Sequence, residues 1–182
     1  MQNVFPLFYA GNIQYFSELK KFDEICFETH EFFEKQTFRN RCMISTANGI
    51  QQLVIPVVRD GKTPIKDVRI SYTDHWQKDH WRALTSAYKN SPFFEFYEDY
   101  FKIFYIDNQI DTLVEFNSKL FELIISKLHL EISFNNSDKF IEVTDVKFDY
   151  RKKFPKKNYI EFQNKKHYQV FDDRFPFQNN LS

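Results

Sequence analysis

The hydrophobic and polar positions at the start of the chain predict a strand, a short helix and a second strand. An apolar run at residues 4–10 ends before Gly11, and apolar residues then recur at roughly helical spacing from Ile13 to Phe22. A second short apolar run covers residues 24–27. This succession predicts a βαβ unit with parallel strands, in which the turn after the first strand is a usual place for a functional site.

The next part of the chain predicts antiparallel pairing. An Asn-Gly dipeptide at positions 48–49 lies between apolar runs at 43–46 and 53–58, which is typical of a hairpin. Pro56 has no N–H for the sheet ladder, so we expect an edge or a bulge at that point. Alternation at residues 68–71 predicts a further half-buried strand.

The middle of the chain, from about residue 74 to residue 128, predicts a layer of three helices. Asp74 and Gln77 form an approximate capping box ahead of the first helix. Ser91 is the expected N-cap of the second helix. Thr112 and Glu115 form a capping box ahead of the third helix, which carries the clearest apolar stripe.

Strand-like alternation returns beyond residue 130, at 131–134 and at 141–148. Together these elements predict a single α/β domain over residues 1–182. We expect a small mixed sheet, with a parallel βαβ start and an antiparallel hairpin, packed against the helical layer.

Composition narrows the class of protein without giving a function. The chain has 182 residues with 23 Phe and only 3 Gly, which excludes a collagen-like fibre or a flexible linker. No window approaches the roughly 20 apolar residues of a membrane-spanning helix, and the start lacks a secretory signal. We therefore expect a cytoplasmic protein without a membrane span. Cys26 and Cys42 lack the spacing of a disulfide framework or a zinc site, so we expect both to be structural.

The balance of charge argues against nucleic acid as a partner. Lys and Arg number 25, and Asp and Glu also number 25, so no global field attracts a polyanion. Residues 147–166 nevertheless carry eight basic side chains and two acidic ones. We interpret this segment as a basic surface loop or arm within the domain, with RNA binding as a weaker alternative.

The stretch from residue 35 to residue 41 has the chemistry of an anion clamp. Lys35, Arg39 and Arg41 place three cations beside Asn40 and a threonine hydroxyl. Guanidinium groups bind phosphate or carboxylate with two hydrogen bonds, and an amide can orient a carbonyl. A solvated loop is the other interpretation that the residues allow.

Two interpretations are open for His80, which lies on the apolar stripe of the first predicted helix with Trp76 and Tyr88. It fits either a core imidazole or a partly desolvated general base at a pocket wall. His75 and Asp79 are one helical turn apart, but His80 points about 100° away, so we predict no metal site. The three glycines are too far apart for a phosphate loop or a dinucleotide fingerprint, and we predict no cofactor.

Five separate blocks occur in an order that is typical of one known family. They are Tyr9-Ala-Gly-Asn-Ile-Gln-Tyr15-Phe16, Lys35-Gln-Thr-Phe-Arg39-Asn40-Arg41, a strand with Pro56, Trp76-Gln-Lys-Asp-His80, and Ser86-Ala-Tyr88-Lys-Asn-Ser-Pro-Phe-Phe94. In these blocks the chain resembles the WbqC-like family of bacterial proteins, over almost its whole length. The resemblance implies an association with O-antigen and other surface-polysaccharide gene clusters, and a transferase activity.

Matching residue by residue, the family's blocks fall on six positions: Lys35, Asn40, Arg41, Trp76, His80 and Tyr88. Two places depart from the pattern. Many members have His-Gln-Pro after the first residue of the first strand and Asp-Asp after the second strand, where this chain has Phe5-Pro6-Leu7 and Thr29-His30. Family sequences usually continue past the position of Ser182 into an apolar helix. The resemblance therefore implies a C-terminal truncation, with Phe-rich core exposed near that end.

Residue chemistry and the resemblance together suggest a transferase that modifies a nucleotide-activated amino sugar by acyl or aminoacyl transfer in surface-polysaccharide biosynthesis. The substrate would be a nucleotide sugar or another small anion. Lys35, Arg39 and Arg41 would hold its phosphate or carboxylate. Asn40 would orient the reacting carbonyl, and His80 would take the proton from the sugar amine. Tyr15, Trp76 and Tyr88 complete the predicted substrate-binding set. The alternative is a non-catalytic binding or scaffold subunit of a polysaccharide-synthesis complex.

Overall fold

A computed structural model describes residues 1–106, 109–154, 165–178 and 181–182. Short 3₁₀ turns cover Ile65–Asp67 and Val143–Asp145. The other elements, in chain order, are β1 (Gln2–Phe5), α1 (Ile13–Leu19), β2 (Glu24–Phe27), β3 (Arg41–Thr46), β4 (Gly49–Val54), β5 (Val57–Val58), β6 (Arg69–Ile70), α2 (Trp76–Tyr88), α3 (Phe94–Lys102), α4 (Leu113–Lys127), β7 (Ser133–Asn136) and β8 (Val146–Asp149).

Four parallel strands form the main sheet in the order β7-β2-β1-β8. The predicted first strand, over residues 4–10, is shorter in the structure because Pro6 has no N–H to continue the ladder. Helix α1 begins where the Asn12 side chain accepts a hydrogen bond from the Tyr15 N–H at 2.9 Å. A Cβ at Gly11 would lie 2.2 Å from Cδ1 of Tyr15, so only glycine fits there. The parallel start of the fold is confirmed.

The antiparallel strands form two small sheets of their own. Strands β3 and β4 make the predicted hairpin, in which Gly49 has a φ of 104°. Pro56 separates β4 from β5, and β5 then pairs with β6. The predicted α/β class is confirmed, but among the described residues the parallel and antiparallel strands do not join into one mixed sheet.

Two of the three predicted helix starts are displaced. Helix α2 follows His75, whose side chain makes no capping hydrogen bond, rather than Asp74. Helix α3 follows Phe93, which has a left-handed φ of 67°, because the Ser91 hydroxyl donates to the Tyr88 carbonyl instead of capping the helix. Both starts lie one or two residues beyond the predicted position.

The third helix begins as predicted and builds the core over the parallel sheet. The Thr112 hydroxyl accepts a hydrogen bond from the Glu115 N–H at 3.2 Å. The Phe116 ring of α4 packs edge-on against Tyr9 and Trp76, with ring centroids 5.9 Å and 5.8 Å away. Helices α2 and α4 therefore enclose the chain that follows β1.

The predicted basic arm, residues 147–166, is only partly described. Its first residues belong to β8, and Arg151 is buried in ion pairs with Glu28 and Asp149. Residues 155–164 of the arm lie outside the described residues.

Candidate functional site

The loops that follow β1 and β2 leave the same edge of the sheet, because parallel strands end on one side. Ligands of α/β proteins usually bind beyond this carboxyl edge. The two loops pair through a hydrogen bond of 2.9 Å from the Tyr9 N–H to the Phe38 carbonyl. The second loop then passes into β3 and supplies most of the side chains described next.

A cleft of about 670 Å³ lies between this loop and the chain around β5. Its lining combines three cationic side chains with two amides and a phenyl ring. None of its lining residues carries a carboxylate or an imidazole, within the part of the chain that the structure describes. The lining residues are Phe33, Lys35, Gln36, Asn40, Arg41, Val57, Val58, Arg59 and Gly61. This cationic cleft has the charge that a phosphate or carboxylate requires.

Asn40 is a buried amide with one unpaired atom at this cleft. Its Nδ2 donates to the Ile55 carbonyl at 2.9 Å, and the Ile55 N–H donates back to the Asn40 carbonyl at 2.9 Å. Its Oδ1 has no hydrogen-bond partner among the described residues. The atom left for a ligand is therefore an acceptor, whereas orienting a carbonyl requires a donor.

Two arginines give the cleft its planar donors. Arg41 in β3 donates from Nη1 to Gln52 at 3.2 Å, and its buried Nε has no partner in the described ranges. The Arg59 guanidinium lies 5.9 Å from the centroid of the Phe33 ring. Gln36, at the rim, has a left-handed φ of 62°, which is uncommon outside glycine and often occurs at functional sites.

Arg39 points away from the cleft. Its guanidinium forms a buried ion pair with Glu31, including an Nε–Oε1 contact of 2.9 Å. Burial raises the pKa of Glu31, and the nearby Arg39 opposes that rise. The Arg39 carbonyl accepts from Asn117 Nδ2 at 2.7 Å. The structure therefore gives Arg39 bonds that hold the loop against α4.

His80 lies in the core with both ring nitrogens hydrogen-bonded. The Val54 N–H donates to Nε2 at 3.2 Å, so the proton of the neutral imidazole is on Nδ1. Nδ1 lies 3.0 Å from the Tyr9 hydroxyl, which in turn lies 2.8 Å from the Tyr105 hydroxyl. Burial lowers the pKa of His80 to about 4, which keeps the ring neutral near pH 7. The backbone occupies the lone pair that a general base would use.

His80, Tyr9 and Tyr105 are joined by these hydrogen bonds, and we call them the Tyr9–His80 network. This network meets the cleft at the end of β4. His80 holds the Val54 N–H, and Asn40 holds the next peptide through two hydrogen bonds to Ile55. The chain then continues through β5 to Arg59 at the cleft. His80 and Asn40 are therefore neighbours through the backbone, and His80 does not line the cleft.

The three predicted aromatic site residues lie elsewhere. Tyr15 is buried, and its hydroxyl donates to the Pro6 carbonyl at 2.8 Å. Trp76 is buried against His80, with ring centroids 5.0 Å apart. Tyr88 lines an apolar cavity on the far side of β3. Of the predicted set, the structure brings together Lys35, Asn40 and Arg41.

Sequence reasoning missed Arg59, Gln36 and Phe33 at the cleft. Arg59 comes directly before the Asp60-Gly61 turn, and Pro56 lies three residues before it. A cation between a strand-breaking proline and a glycine turn is the signal that would have identified it, because such a turn brings the chain back toward the preceding loop.

A second polar cluster lies at the carboxyl edge of the sheet, where the resemblance places an Asp-Asp pair. The buried Glu28 carboxylate accepts hydrogen bonds from Ser137 Oγ at 3.0 Å, the Ile141 N–H at 2.8 Å and Arg151 at 3.3 Å. His30 Nδ1 lies 3.2 Å from the same Ser137 hydroxyl. Both Glu28 oxygens have protein partners, so this cluster braces β2, β7 and β8 together.

The described residues contain no group of three His, Cys, Asp or Glu side chains placed to hold a metal ion. Cys26 and Cys42 are both free and buried, and burial raises the pKa of the Cys42 thiol to about 12. In the ranges that the structure describes, no helix has both the length and the apolar character needed to cross a membrane.

The fold and these side chains define an α/β protein with a cationic cleft beside a buried tyrosine–histidine network. The chain belongs to the WbqC-like protein family, which matches residues 8–180. An uncharacterised protein of Mycobacterium tuberculosis, Rv1507c, is 31% identical over 125 residues, which are 68% of this chain and 54% of that protein. The chain thus spans about half the length of this relative. No solved structure matches the chain.

Proposed function

We propose that the chain is a transferase that binds a nucleotide-activated amino sugar in the cationic cleft and serves acyl or aminoacyl transfer to the sugar amine. The observation that carries this proposal is the convergence of Lys35, Arg41 and Arg59 on one cleft of about 670 Å³. A nucleotide sugar carries two adjacent phosphates, which match three cations better than a single carboxylate would. The link to surface-polysaccharide biosynthesis rests on the family alone.

Asn40 fits the amine in this arrangement. Its Nδ2 is bonded to the Ile55 carbonyl, and its Oδ1 has no described partner. An N–H of the sugar amine would pair with Oδ1 once the ligand displaces the atoms that now cover it; left unpaired, this buried acceptor costs about 1–3 kcal/mol. The acyl carbonyl would then be oriented by the cations rather than by Asn40.

The transfer forms one bond and breaks one. The amine nitrogen attacks the acyl carbonyl carbon of a thioester or ester donor and forms an amide. The bond from that carbon to the leaving sulfur or oxygen breaks, and the leaving group takes up the proton that the amine loses.

A general-base role for His80 stays a prediction with a defined requirement. Nε2 would have to exchange the Val54 N–H for the substrate amine. In the arrangement that the structure has, His80 is better suited to positioning the end of β4. A His80→Gln variant separates the two roles, because Gln offers an acceptor to the Val54 N–H but cannot act as a base near pH 7.

The second candidate function is a non-catalytic binding subunit. It is favoured by the engaged nitrogens of His80 and by the absence of carboxylate and imidazole groups from the described cleft lining. Such a subunit would bind the same nucleotide sugar without converting it.

Calorimetric titration with UDP-glucosamine tests the binding step. We expect Arg41→Gln to raise the dissociation constant at least tenfold, since a charge-assisted hydrogen bond is worth about 1.5–3 kcal/mol. Arg69→Gln is the matched control, because Arg69 is exposed in β6 and lies outside the cleft. Equal affinity for the wild type and Arg41→Gln would contradict the cleft as the binding site.

Mass spectrometry of UDP-glucosamine incubated with the protein and an acyl-coenzyme A then separates the two candidates. A mass gain of one acyl group, lost in Arg41→Gln, supports the transferase. Tight binding with no product for any of a set of acyl and aminoacyl donors supports the binding subunit.

A further inference from the structure

A second cavity, of about 490 Å³, lies across β3 from the cationic cleft. Adjacent side chains of a strand point to opposite faces. In β3, Arg41 lines the cleft, whereas Cys42 and Ile44 line the cavity. One strand therefore separates a cationic site from an apolar one.

The cavity walls are mainly apolar, and His167, Gln169 and Gln178 add polar groups on the C-terminal side. Strand β4 contributes Leu53, α2 contributes Leu84, and α4 contributes Leu120 and Ile124. The volume lies within the range of about 300–1,000 Å³ that is usual for small-molecule sites. A cavity with such walls favours a hydrocarbon ligand, because burial of apolar surface drives its binding.

The C-terminal segment forms the outer wall. Leu181 and Ser182 line the cavity, and the Ser182 N–H donates to the Met43 carbonyl at 2.8 Å. The Met43 N–H donates to Ser182 Oγ at 3.3 Å. Two hydrogen bonds therefore attach this segment along β3. The segment covers one side of the cavity, which stays partly open to solvent.

The Tyr88 hydroxyl is one of the polar groups of the cavity, and its donor is free within the described ranges. The Tyr88 hydroxyl accepts a hydrogen bond from the Ser45 N–H at 3.3 Å, and its own proton has no acceptor among the described residues. Burial raises the pKa of Tyr88, so the phenol keeps this proton. The Cys42 thiol also stays protonated and is no nucleophile. A ligand with an apolar chain and a single acceptor head matches this lining.

We propose that this cavity binds the hydrocarbon chain of a fatty acyl group, whose carbonyl oxygen accepts a hydrogen bond from Tyr88. The inference goes beyond the proposed transferase function, because β3 lies between this cavity and the cleft, so the bound acyl group is not the group that would react at Asn40.

Fluorescence titration with 11-(dansylamino)undecanoic acid, displaced by dodecanoic acid, tests the cavity directly. We expect saturable binding that Ile124→Trp weakens at least tenfold, because the indole fills the space. Leu128→Trp, one turn further along the chain at an exposed position, is the matched control and should change the affinity less than twofold. Melting temperatures of both variants establish that each is folded.

Two further variants distinguish the cavity from other apolar surface. Tyr88→Phe keeps the ring and removes the donor, so it should weaken dodecanoate binding about fivefold. Phe96→Ser alters the exposed aromatic face of α3, where Phe96 is 65% exposed, and should leave binding unchanged. Probe binding that disappears in Phe96→Ser but persists in Ile124→Trp would overturn the inference.

Titration of the same samples with UDP-glucosamine separates this inference from the proposed function. Normal binding of UDP-glucosamine without any binding of dodecanoate would overturn the acyl cavity alone. If the folded wild type bound neither UDP-glucosamine nor dodecanoate, the cleft would be contradicted as a binding site as well.

Discussion

The Tyr9–His80 network and the cationic cleft lie on either side of the end of β4, yet their polar groups are in opposite states. In the network, His80 bonds to the Val54 N–H and the Tyr9 hydroxyl, and Tyr9 bonds to Tyr105. At the cleft, Asn40 Oδ1 and Arg41 Nε are buried and have no partner among the described residues. Other buried polar atoms, such as Trp76 Nε1, are also unpaired, but in the described ranges only Asn40 Oδ1 and Arg41 Nε belong to residues that line the cleft, so these two favour a ligand there.

This difference leads us to propose different roles for residues that the sequence grouped together. His80 carries the chemistry expected of a catalytic base, but its bonds are complete without a ligand. Asn40 and Arg41 are residue types that a solvated loop also contains, but their hydrogen bonds are incomplete among the described residues. The state of the hydrogen bonds, rather than the residue type, separates a structural group from a functional one.

The largest expected effect is a loss of stability in acid that is specific to His80. Its pKa is 6.5 in the unfolded chain and about 4 in the fold, so the unfolded state binds the proton first. The stability is complete above about pH 6.5 and falls by up to about 3 kcal/mol as the pH drops toward 4. Urea unfolding between pH 4 and pH 7 measures it, and His80→Gln should remove this part of the slope. Equal slopes in both proteins would mean that His80 is charged or exposed in the fold.

Removal of the His80 imidazole should lower the free energy of unfolding by about 2 kcal/mol at pH 7. His80→Leu keeps a similar volume but leaves the Val54 N–H without a partner and the Tyr9 hydroxyl with one partner fewer. Urea unfolding gives the value, and His80→Gln, which can still accept from Val54, should lose less. If both variants were as stable as the wild type, the network would contribute nothing to the fold.

Loss of the Tyr9 hydroxyl, which contacts both His80 and Tyr105, should lower the free energy of unfolding by about 1.5 kcal/mol. Tyr9→Phe removes the group that joins His80 to Tyr105 and leaves the buried Nδ1–H unpaired. Thermal unfolding of Tyr9→Phe beside Tyr15→Phe gives a matched comparison, because in the described ranges the Tyr15 hydroxyl has a single partner, the Pro6 carbonyl. A smaller loss in Tyr9→Phe than in Tyr15→Phe would contradict the expected role of Tyr9.

The smallest stability effect is expected at the cleft. Arg41→Gln should change the free energy of unfolding by less than about 0.5 kcal/mol, because Arg41 is half-buried and its side-chain hydrogen bond to Gln52 is exposed. Urea unfolding of Arg41→Gln beside Arg69→Gln tests this. A loss above about 2 kcal/mol would place Arg41 among the structural residues.

Much of the fold could be predicted from local patterns, since they depend on neighbouring residues. The Asn-Gly turn at 48–49 and the Thr112 cap are examples. The displaced start of α3 could not, because it depends on Ser91 bonding to the Tyr88 carbonyl rather than to the next turn.

Only the part of the site that comes from one short stretch of sequence could be predicted. Lys35, Asn40 and Arg41 are close in the sequence and meet at the cleft. Arg59 joins them only because β4 and β5 return the chain to the same place. Arg39 has the same chemistry as Arg41, but its bond to Glu31 depends on how the preceding loop folds.

Calorimetric titration of inorganic pyrophosphate into Arg41→Gln and His80→Gln tests the contrast between cleft and network most directly. If the cleft binds the anion and the network only holds β4, Arg41→Gln raises the dissociation constant at least tenfold. His80→Gln then stays within about threefold of the wild type, since it keeps an acceptor for Val54. The opposite pattern, with binding lost in His80→Gln and unchanged in Arg41→Gln, would contradict the assignment of both sites.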